Sequence, residues 1–278
     1  MKNQLEIQRE IAKELNVCPL FKDEKSLEDE IKKRVKFLKN ALLKSGLKAF
    51  VLGISGGVDS LTTALLARRA IDELKKEFLD KEYKLILVSL PYKIQADIAD
   101  VHLVMEFLNP DIKEVVNIES AVDSLSASIK SLKSANKEKK DFIVGNIKAR
   151  QRMVAQYALA NTYDALVLGT DHASEAVMGF FTKFGDGAFD LSPLGGLTKL
   201  QVREVARFFG ADERLVSKTP TADLEDLKPL HPDELAFGVT YQEIDDFLHV
   251  KEVSKYAFET ITKAYFKTMH KRALPLVP

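Results

Sequence analysis

The sequence predicts an α/β protein: a doubly wound parallel sheet with helices on both faces, and helical appendages at the N- and C-terminal ends. Three observations carry this. Short, largely apolar runs recur along the middle of the chain: Ala49-Phe50-Val51-Leu52, Leu85-Ile86-Leu87-Val88, Val115-Val116-Asn117-Ile118 and Ala165-Leu166-Val167-Leu168. Strands that are apolar on both faces belong to sheets covered on both sides, which are typically parallel. Stretches with helical period lie between them, at residues 60–78, 96–108 and 146–161, and this alternation is the pattern of a Rossmann-like sheet. The polar residues with chemical promise follow the strands, at 55–60, 91–95 and 169–175, where such sheets bind ligands.

The elements follow in order. Two helices come first. In the second, Leu27, Ile31, Val35, Leu38 and Leu42 share a face and Gly46 supplies a stop, as expected of an amphipathic helix with a left-handed cap. Cys18 and Pro19 lie in the link, and with no histidine paired to it Cys18 reads as structural. The first strand runs into Gly53-Ile54-Ser55-Gly56-Gly57-Val58-Asp59-Ser60, and Leu61, Leu65, Ile71 and Leu74 then keep a helical period. The lysine-rich stretch 130–140 reads as a solvated helix end or loop. Residues 179–196 and 218–237 lack periodicity and are too long for ordinary connections, which predicts functional loops that order over a ligand. A last helix, about 253–270, ends in His270-Lys271-Arg272.

Composition narrows the function classes. Lys+Arg and Asp+Glu both number 41, so no global field draws nucleic acid. The single cysteine excludes an internal disulfide or a cysteine metal cluster. No apolar run approaches a membrane span, and the N-terminus lacks the apolar core of a signal peptide. The expectation is a cytoplasmic protein with no nucleic-acid or membrane partner.

Glycines between a strand and a helix let an anion approach backbone N–H groups at the positive end of the helix. Ser55 and Ser60 offer hydroxyls, and Asp59 sets a carboxylate beside the bound anion, where a magnesium ion is its natural partner. A Walker loop needs lysine where Asp59 stands, so the loop suits a pyrophosphate better than a γ-phosphate poised for transfer. The order Ser-Gly-Gly-x-Asp-Ser resembles the signature of the N-type ATP pyrophosphatases, which split ATP into an adenylate and pyrophosphate. Gly169-Thr170-Asp171-His172-Ala173-Ser174-Glu175 ends the fourth strand. Glu175 there faces the same crevice as Asp59 and is a second magnesium ligand, or else an acid that offsets the helix dipole. His172 reads as a base or as a packing or capping residue. Arg150 and Arg152 cannot share one helix face. Gly179-Phe180-Phe181-Thr182-Lys183-Phe184-Gly185-Asp186-Gly187 has the make-up of a mobile flap that stacks on a flat ring, or of core aromatics.

Taken together, the loop at 53–60, the motifs at 169–172, 179–183 and 185–187, Pro220-Thr221-Ala222-Asp223-Leu224-Glu225-Asp226 and His270-Lys271-Arg272 resemble the ammonia-dependent NAD synthetases, in that family's order, from about Leu27 to Arg272. The resemblance implies a single NAD synthetase domain over 1–278: N-terminal helices 1–46, an ATP pyrophosphatase core 47–210, and a loop with C-terminal helices 211–278. It implies that ATP adenylates the nicotinate carboxylate of deamido-NAD and that ammonia then displaces AMP. By motif, Gly53, Ile54, Ser55, Gly56, Gly57, Val58, Asp59 and Ser60 grip the ATP phosphates, with Thr170, Lys199 and Thr221 as further ATP contacts. Asp59 and Lys199 are the catalytic pair, Lys199 steadying the departing pyrophosphate, and Asp59 and Glu175 bind Mg2+. Arg150, Lys183, Asp190, His270 and Lys271 match contacts to deamido-NAD, in a homodimer whose sites lie between subunits. The resemblance departs in two places: Ser89 stands where the family commonly has arginine, and Lys93 where it has glycine. A glutaminase domain finds no room in the chain, so free ammonia, or ammonia delivered by another protein, is the expected nitrogen source. The rival readings are a tRNA-modifying pyrophosphatase, disfavoured by the single cysteine and neutral charge, and a non-catalytic ATP-binding module, disfavoured by two metal carboxylates.

Overall fold

The computed structural model describes residues 3–93, 98–222 and 224–277; Ile94 and Gln95 of the segment after the second strand, the start of the predicted 96–108 helix, and Asp223 lie outside the described residues. Helix α1 (Gln4–Glu14) and α2 (Glu24–Ser45) precede β1 (Ala49–Ile54), α3 (Val58–Glu77) and β2 (Lys84–Ser89). Then come α4 (Ile98–Leu108), β3 (Ile112–Val115), α5 (Glu119–Ser128), a 3-10 turn (Lys130–Ser134), the long α6 (Lys137–Thr162) and β4 (Ala165–Val167). Helices α7 (Ala173–Met178), α8 (Lys199–Phe208) and α9 (Glu213–Val216) lead to a small antiparallel pair, β5 (Thr221–Ala222) and β6 (His231–Pro232). The chain closes with α10 (Asp233–Phe237), α11 (Tyr241–Leu248), α12 (Lys255–Lys267) and α13 (Met269–Arg272).

The main sheet has the order β3-β2-β1-β4 and all its pairings are parallel. Alternation along the strands sends their side chains to two cores. Phe50, Leu52, Ile54, Leu85 and Leu87 pack with α2, α3, α4 and α8; Ala49, Val51, Ile86, Val88 and Val167 pack with α5 and α6. On α2, Ile31, Val35, Leu38 and Leu42 are buried as their spacing predicts, and Gly46 ends the helix at φ 74°. Each such side chain stabilises the fold by about 1.5–3 kcal/mol. A third cluster joins α1, α7, α11 and α12 through Ile11, Val177, Phe247, Ile261 and Tyr265.

Three predicted elements shift. The third strand is Ile112–Val115, three residues earlier than the apolar run at 115–118. It is an edge strand with a half-exposed pattern, and Val115 is 72% exposed; Ile118 instead buries itself at the start of α5, its N–H donating to the Pro91 carbonyl. Helix α6 begins at Lys137, well before 146, because the Asn136 side chain caps it by accepting the Lys139 N–H. The lysine-rich stretch is thus a 3-10 turn and a first helical turn, its lysines exposed to solvent as expected. The last helix is broken at Thr268, whose hydroxyl donates back to the Ala264 carbonyl at 2.7 Å. No helix among the described residues is long and apolar enough to cross a membrane.

Candidate active site

The chain leaves β1 toward β2 on one side and returns through β4 on the other, so β1 and β4 are neighbours at the point where the winding reverses. A crevice of about 750 Å3 opens beyond their carboxyl ends, within the size range of small-molecule sites. The turn from β1 into α3 forms its floor: Gly53, Ile54, Ser55, Gly57, Val58, Asp59 and Ser60 line it. Gly56 bends beneath at φ 81°, where a side chain would be strained and would press on Asp100. Gly53 is needed for a different reason: its N–H donates to Gln156 Oε1 at 2.8 Å, and a Cβ there would stand 3.1 Å from the same atom. Ser60 donates to the Gly57 carbonyl at 3.0 Å and lies 3.2 Å from the Ser55 hydroxyl. Gly57 caps α3 without a side-chain bond, so the first-turn N–H groups of a long helix face the crevice, an arrangement suited to an anion.

Asp59 and the 169–175 motif meet as predicted. Lys199, at the start of α8, is 1% exposed and holds both Asp59 oxygens at 2.9 and 2.8 Å. It therefore sits behind Asp59 and outside the crevice lining. Burial pushes the Asp59 carboxyl up, but the Lys199 charge and hydrogen bonds, together with the nearby His172 and Arg203, outweigh it and the group is held below the usual carboxylate range. Burial, reinforced by Asp59, pushes Glu175 well up. Burial and Lys199 press His172 down to about 3, so its ring is neutral. Its Nε2 lies 3.5 Å from Asp59 Oδ1 and 3.6 Å from Glu175 Oε1. Asp59, His172 and Glu175 offer donor atoms within 4.8 Å of one another, a set that fits a divalent cation. Thr170, Thr221 and Lys271 line the same crevice.

The residues matched to a dinucleotide divide. Arg150 donates to the Lys183 carbonyl at 3.2 Å, and Lys183 Nζ donates to the His270 and Ala273 carbonyls at 2.5 and 3.2 Å. These three gather beside the flap, outside the crevice lining. Lys271 joins them to the crevice, donating to the Gly179 and Phe181 carbonyls at 2.8 Å each. Asp190 lies apart: it accepts from Tyr157 Oη at 3.2 Å and from the Val167 N–H at 2.7 Å. Of the two arginines on α6, Arg152 lines the crevice and Arg150 does not, which agrees with their spacing. Phe180 and Phe181 of the flap line it too. The segment 218–237 is tied down by Lys148, which donates to the Leu224 carbonyl and to Asp226 at 2.9 and 2.6 Å.

Several site residues carry no signal in the sequence. Gln156 sits in the middle of a helical stretch, and Lys218 opens the predicted loop 218–237 without being marked in it. Lys218 donates to Asp100 at 2.7 Å on the crevice rim. Asp171 and Asp186 both line the crevice, and burial pushes both carboxyls up, Asp171 furthest because Asp186 and Asp59 add to it; their motifs were visible, their meeting was not. Both departures after β1 fall on described residues. Ser89 is buried with no hydrogen-bond partner for its hydroxyl among the described residues, and Arg152 brings a guanidinium to the end of the same strand, donating to the Leu90 carbonyl at 3.1 Å. Lys93 takes a left-handed backbone conformation at φ 58°, and its ammonium rests over the Tyr92 ring. Cys18 is partly buried, its N–H donates to the Gly196 carbonyl, and burial pushes the thiol up, as suits a structural residue.

Comparison with known proteins agrees with this geometry. The family model described as NAD synthase matches residues 30–275. An NH(3)-dependent NAD(+) synthetase from Pseudomonas fluorescens is 55% identical over 98% of this chain and 99% of its own length. Among solved structures, an NAD+ synthetase from Burkholderia pseudomallei superposes with a TM-score of 0.83 at 45% identity, covering 99% of both chains. An NMN synthetase from Francisella tularensis superposes at 0.79 with 36% identity, covering 91% of this chain and 98% of that one. A phosphate-binding turn facing a carboxylate pair, in a fold and sequence shared this closely, leaves one assignment: the chain belongs to the NAD synthase family.

Proposed function

We propose that this chain is a ligase that forms the amide of NAD from deamido-NAD and ammonia, cleaving ATP to AMP and pyrophosphate. The observation that carries the reading is the meeting of the 53–60 turn with Asp59 and Glu175 in one crevice, within a chain 55% identical over nearly its full length to an NH(3)-dependent NAD(+) synthetase.

The chemistry needs little from the protein beyond position and charge. The nicotinate carboxylate attacks the α-phosphorus of ATP and expels pyrophosphate; ammonia then attacks the adenylated carbonyl and AMP leaves. The N–H groups of the β1–α3 turn, with the Ser55 and Ser60 hydroxyls, hold the phosphates. Thr170 and Thr221 flank the nucleotide, and Lys218 reaches the phosphates from the rim once it leaves Asp100. Asp59 and Glu175 would hold Mg2+, which when bound supplies charge neutralisation at the phosphates. Lys199 keeps Asp59 ionised and in place. Arg152 substitutes for the guanidinium missing at Ser89. Asp171 and Asp186 line the crevice with carboxyls raised by burial, and in their ionised form they are the acceptors offered here to the proton that ammonium must lose. Lys271 reads the dinucleotide at the edge of the crevice, with Arg150, Lys183 and His270 beyond it, and a homodimer would bring the partner's surface to that group.

The test is pyrophosphate release measured with each component left out in turn. Continuous release is expected only with ATP, deamido-NAD and ammonia together; without ammonia, ATP and deamido-NAD should give at most one equivalent of pyrophosphate per site, and without deamido-NAD none. Nicotinate mononucleotide in place of deamido-NAD separates a dinucleotide enzyme from one like the Francisella relative, and faster turnover of the mononucleotide would overturn the substrate assignment. Sedimentation and activity at one protein concentration test the dimer: a fully active monomer would refute it.

A further inference from the structure

His172 is the buried polar group that the reaction above leaves unused. Its side chain is 0% exposed, and neither ring nitrogen has a hydrogen-bond partner among the described residues. Leaving a buried polar group unmade is costly, so a residue that stays buried and unsatisfied calls for a partner absent from the polypeptide. The ring is aimed at one point. Its Nε2 faces Asp59 Oδ1 at 3.5 Å and Glu175 Oε1 at 3.6 Å. His172 stands at the N-cap of α7 and Glu175 one turn along, so both project to the same side, while Asp59 comes from the first turn of α3.

The two spacings from His172 are close to those of a filled site: ligand bonds of about 2.1 Å to imidazole nitrogen and carboxylate oxygen put neighbouring donors roughly 3.0–3.4 Å apart. All three donor atoms lie within 4.8 Å of one another, so side-chain adjustment within the crevice brings them onto one ion. Lys199 donates to both Asp59 oxygens at 2.9 and 2.8 Å, and since each carboxylate oxygen has two lone pairs, one remains on Oδ1 for an ion.

We propose that His172 Nε2 is a third protein ligand beside Asp59 and Glu175, making this a nitrogen-containing site that takes Mn2+ more tightly than Mg2+ and binds it before any nucleotide arrives. The preference follows from donor chemistry. Magnesium is held by oxygen and gives up its waters reluctantly, whereas Mn2+, although the weakest binder of the first-row divalent series, sheds water more readily and accepts an imidazole nitrogen that Mg2+ does not favour. A magnesium site built on Asp59 and Glu175 alone would leave most of the binding to the ATP phosphates. The inference concerns the crevice of the proposed ligase, but its test needs no turnover, so its failure leaves that reading standing.

The experiment uses the full chain without nucleotide, titrated with MnCl2 and followed by electron paramagnetic resonance. The expected result is stoichiometric loss of the free-ion signal, competed only by a large excess of Mg2+. Pulsed measurements on the bound ion should show a nitrogen coupling that changes when histidine is labelled with 15N. His172→Gln should weaken Mn2+ binding by at least about tenfold and abolish that coupling. No Mn2+ bound without nucleotide, or bound Mn2+ with no histidine coupling, would overturn the proposal. Labelling on the unaltered chain shows whether a histidine binds the ion, and should His172→Gln fail to fold, His231→Gln, which alters the other histidine at the crevice, assigns it: a coupling that survives there supports His172, and one that is lost overturns the proposal.

Discussion

Replacing Lys199 with methionine tests how the crevice keeps its carboxylates. Lys199→Met keeps most of the side-chain volume and removes the ammonium that holds both Asp59 oxygens at 2.9 and 2.8 Å. Lys199 is 1% and the Asp59 side chain 20% exposed, so water replaces little of the lost interaction. Breaking one half of a buried pair costs about 3–5 kcal/mol, because an uncompensated charge stays behind; the partial exposure of Asp59 favours the lower end. The pH dependence should also change sign. In the unaltered chain Asp59 is held below its ordinary 3.8, so its contribution is present above that pH and lost as pH falls through the lower folded value. Without Lys199, burial is left to act and lifts the folded value above 3.8. Stability is then lost as pH rises from 3.8 toward the raised value, and the variant's deficit widens over that interval. Urea denaturation at a series of pH values measures this. Adding Asp59→Asn removes the stranded charge and should recover part of the loss, the mark of a coupled pair. A deficit below about 1 kcal/mol, the worth of a solvent-exposed pair, or one flat with pH, would refute the reasoning.

Other consequences can be checked one by one. Gly179→Ala places a Cβ 2.3 Å from Thr268 at φ 62°, and clash plus left-handed strain should cost at least about 1–3 kcal/mol in thermal denaturation. Lys271→Ala should raise the KM for deamido-NAD roughly tenfold, through loss of a charged contact worth about 1.5–3 kcal/mol; steady-state kinetics with ATP saturating would show it, and an unchanged KM would confine Lys271 to holding the flap carbonyls. Arg34 donates to the Pro193 and Gly195 carbonyls at 2.6 and 3.0 Å, so Arg34→Leu should cost about 1.5–3 kcal/mol, read from urea midpoints. Residues 179–190 and 218–237 should slow in hydrogen exchange when ATP and deamido-NAD bind; equally slow exchange with and without them would mark fixed structure.

Much of this molecule is legible in its sequence because the relevant information is local. A strand buried on both faces must be apolar throughout, so β1, β2 and β4 announce themselves. A helix packed on one side must repeat its leucines, so α2 does too. A tight turn packed between a strand and a long helix must shed side chains, and the glycines at 53, 56 and 57 mark it in the sequence, Gly56 for its φ of 81° and Gly53 for its closeness to Gln156. Where local pattern misleads, a long-range contact has decided. Apolar residues 115–118 read as a strand, yet Ile118 is drawn into the core beneath α5 while the edge strand forms earlier from a half-polar run. The pairing of Asp59 with Lys199 joins residues 140 positions apart, and that of Gly53 with Gln156 joins residues 103 apart; neither side chain names its partner. Only the folded chain shows that Lys199 pairs with Asp59 outside the crevice lining, and that Arg152 lines the crevice and reaches the end of the strand that carries Ser89. Only there, too, does His172 lie buried and unsatisfied between two carboxylates. Such effects arise from burial and charge at distances of a few ångströms, which the order of residues along the chain does not record.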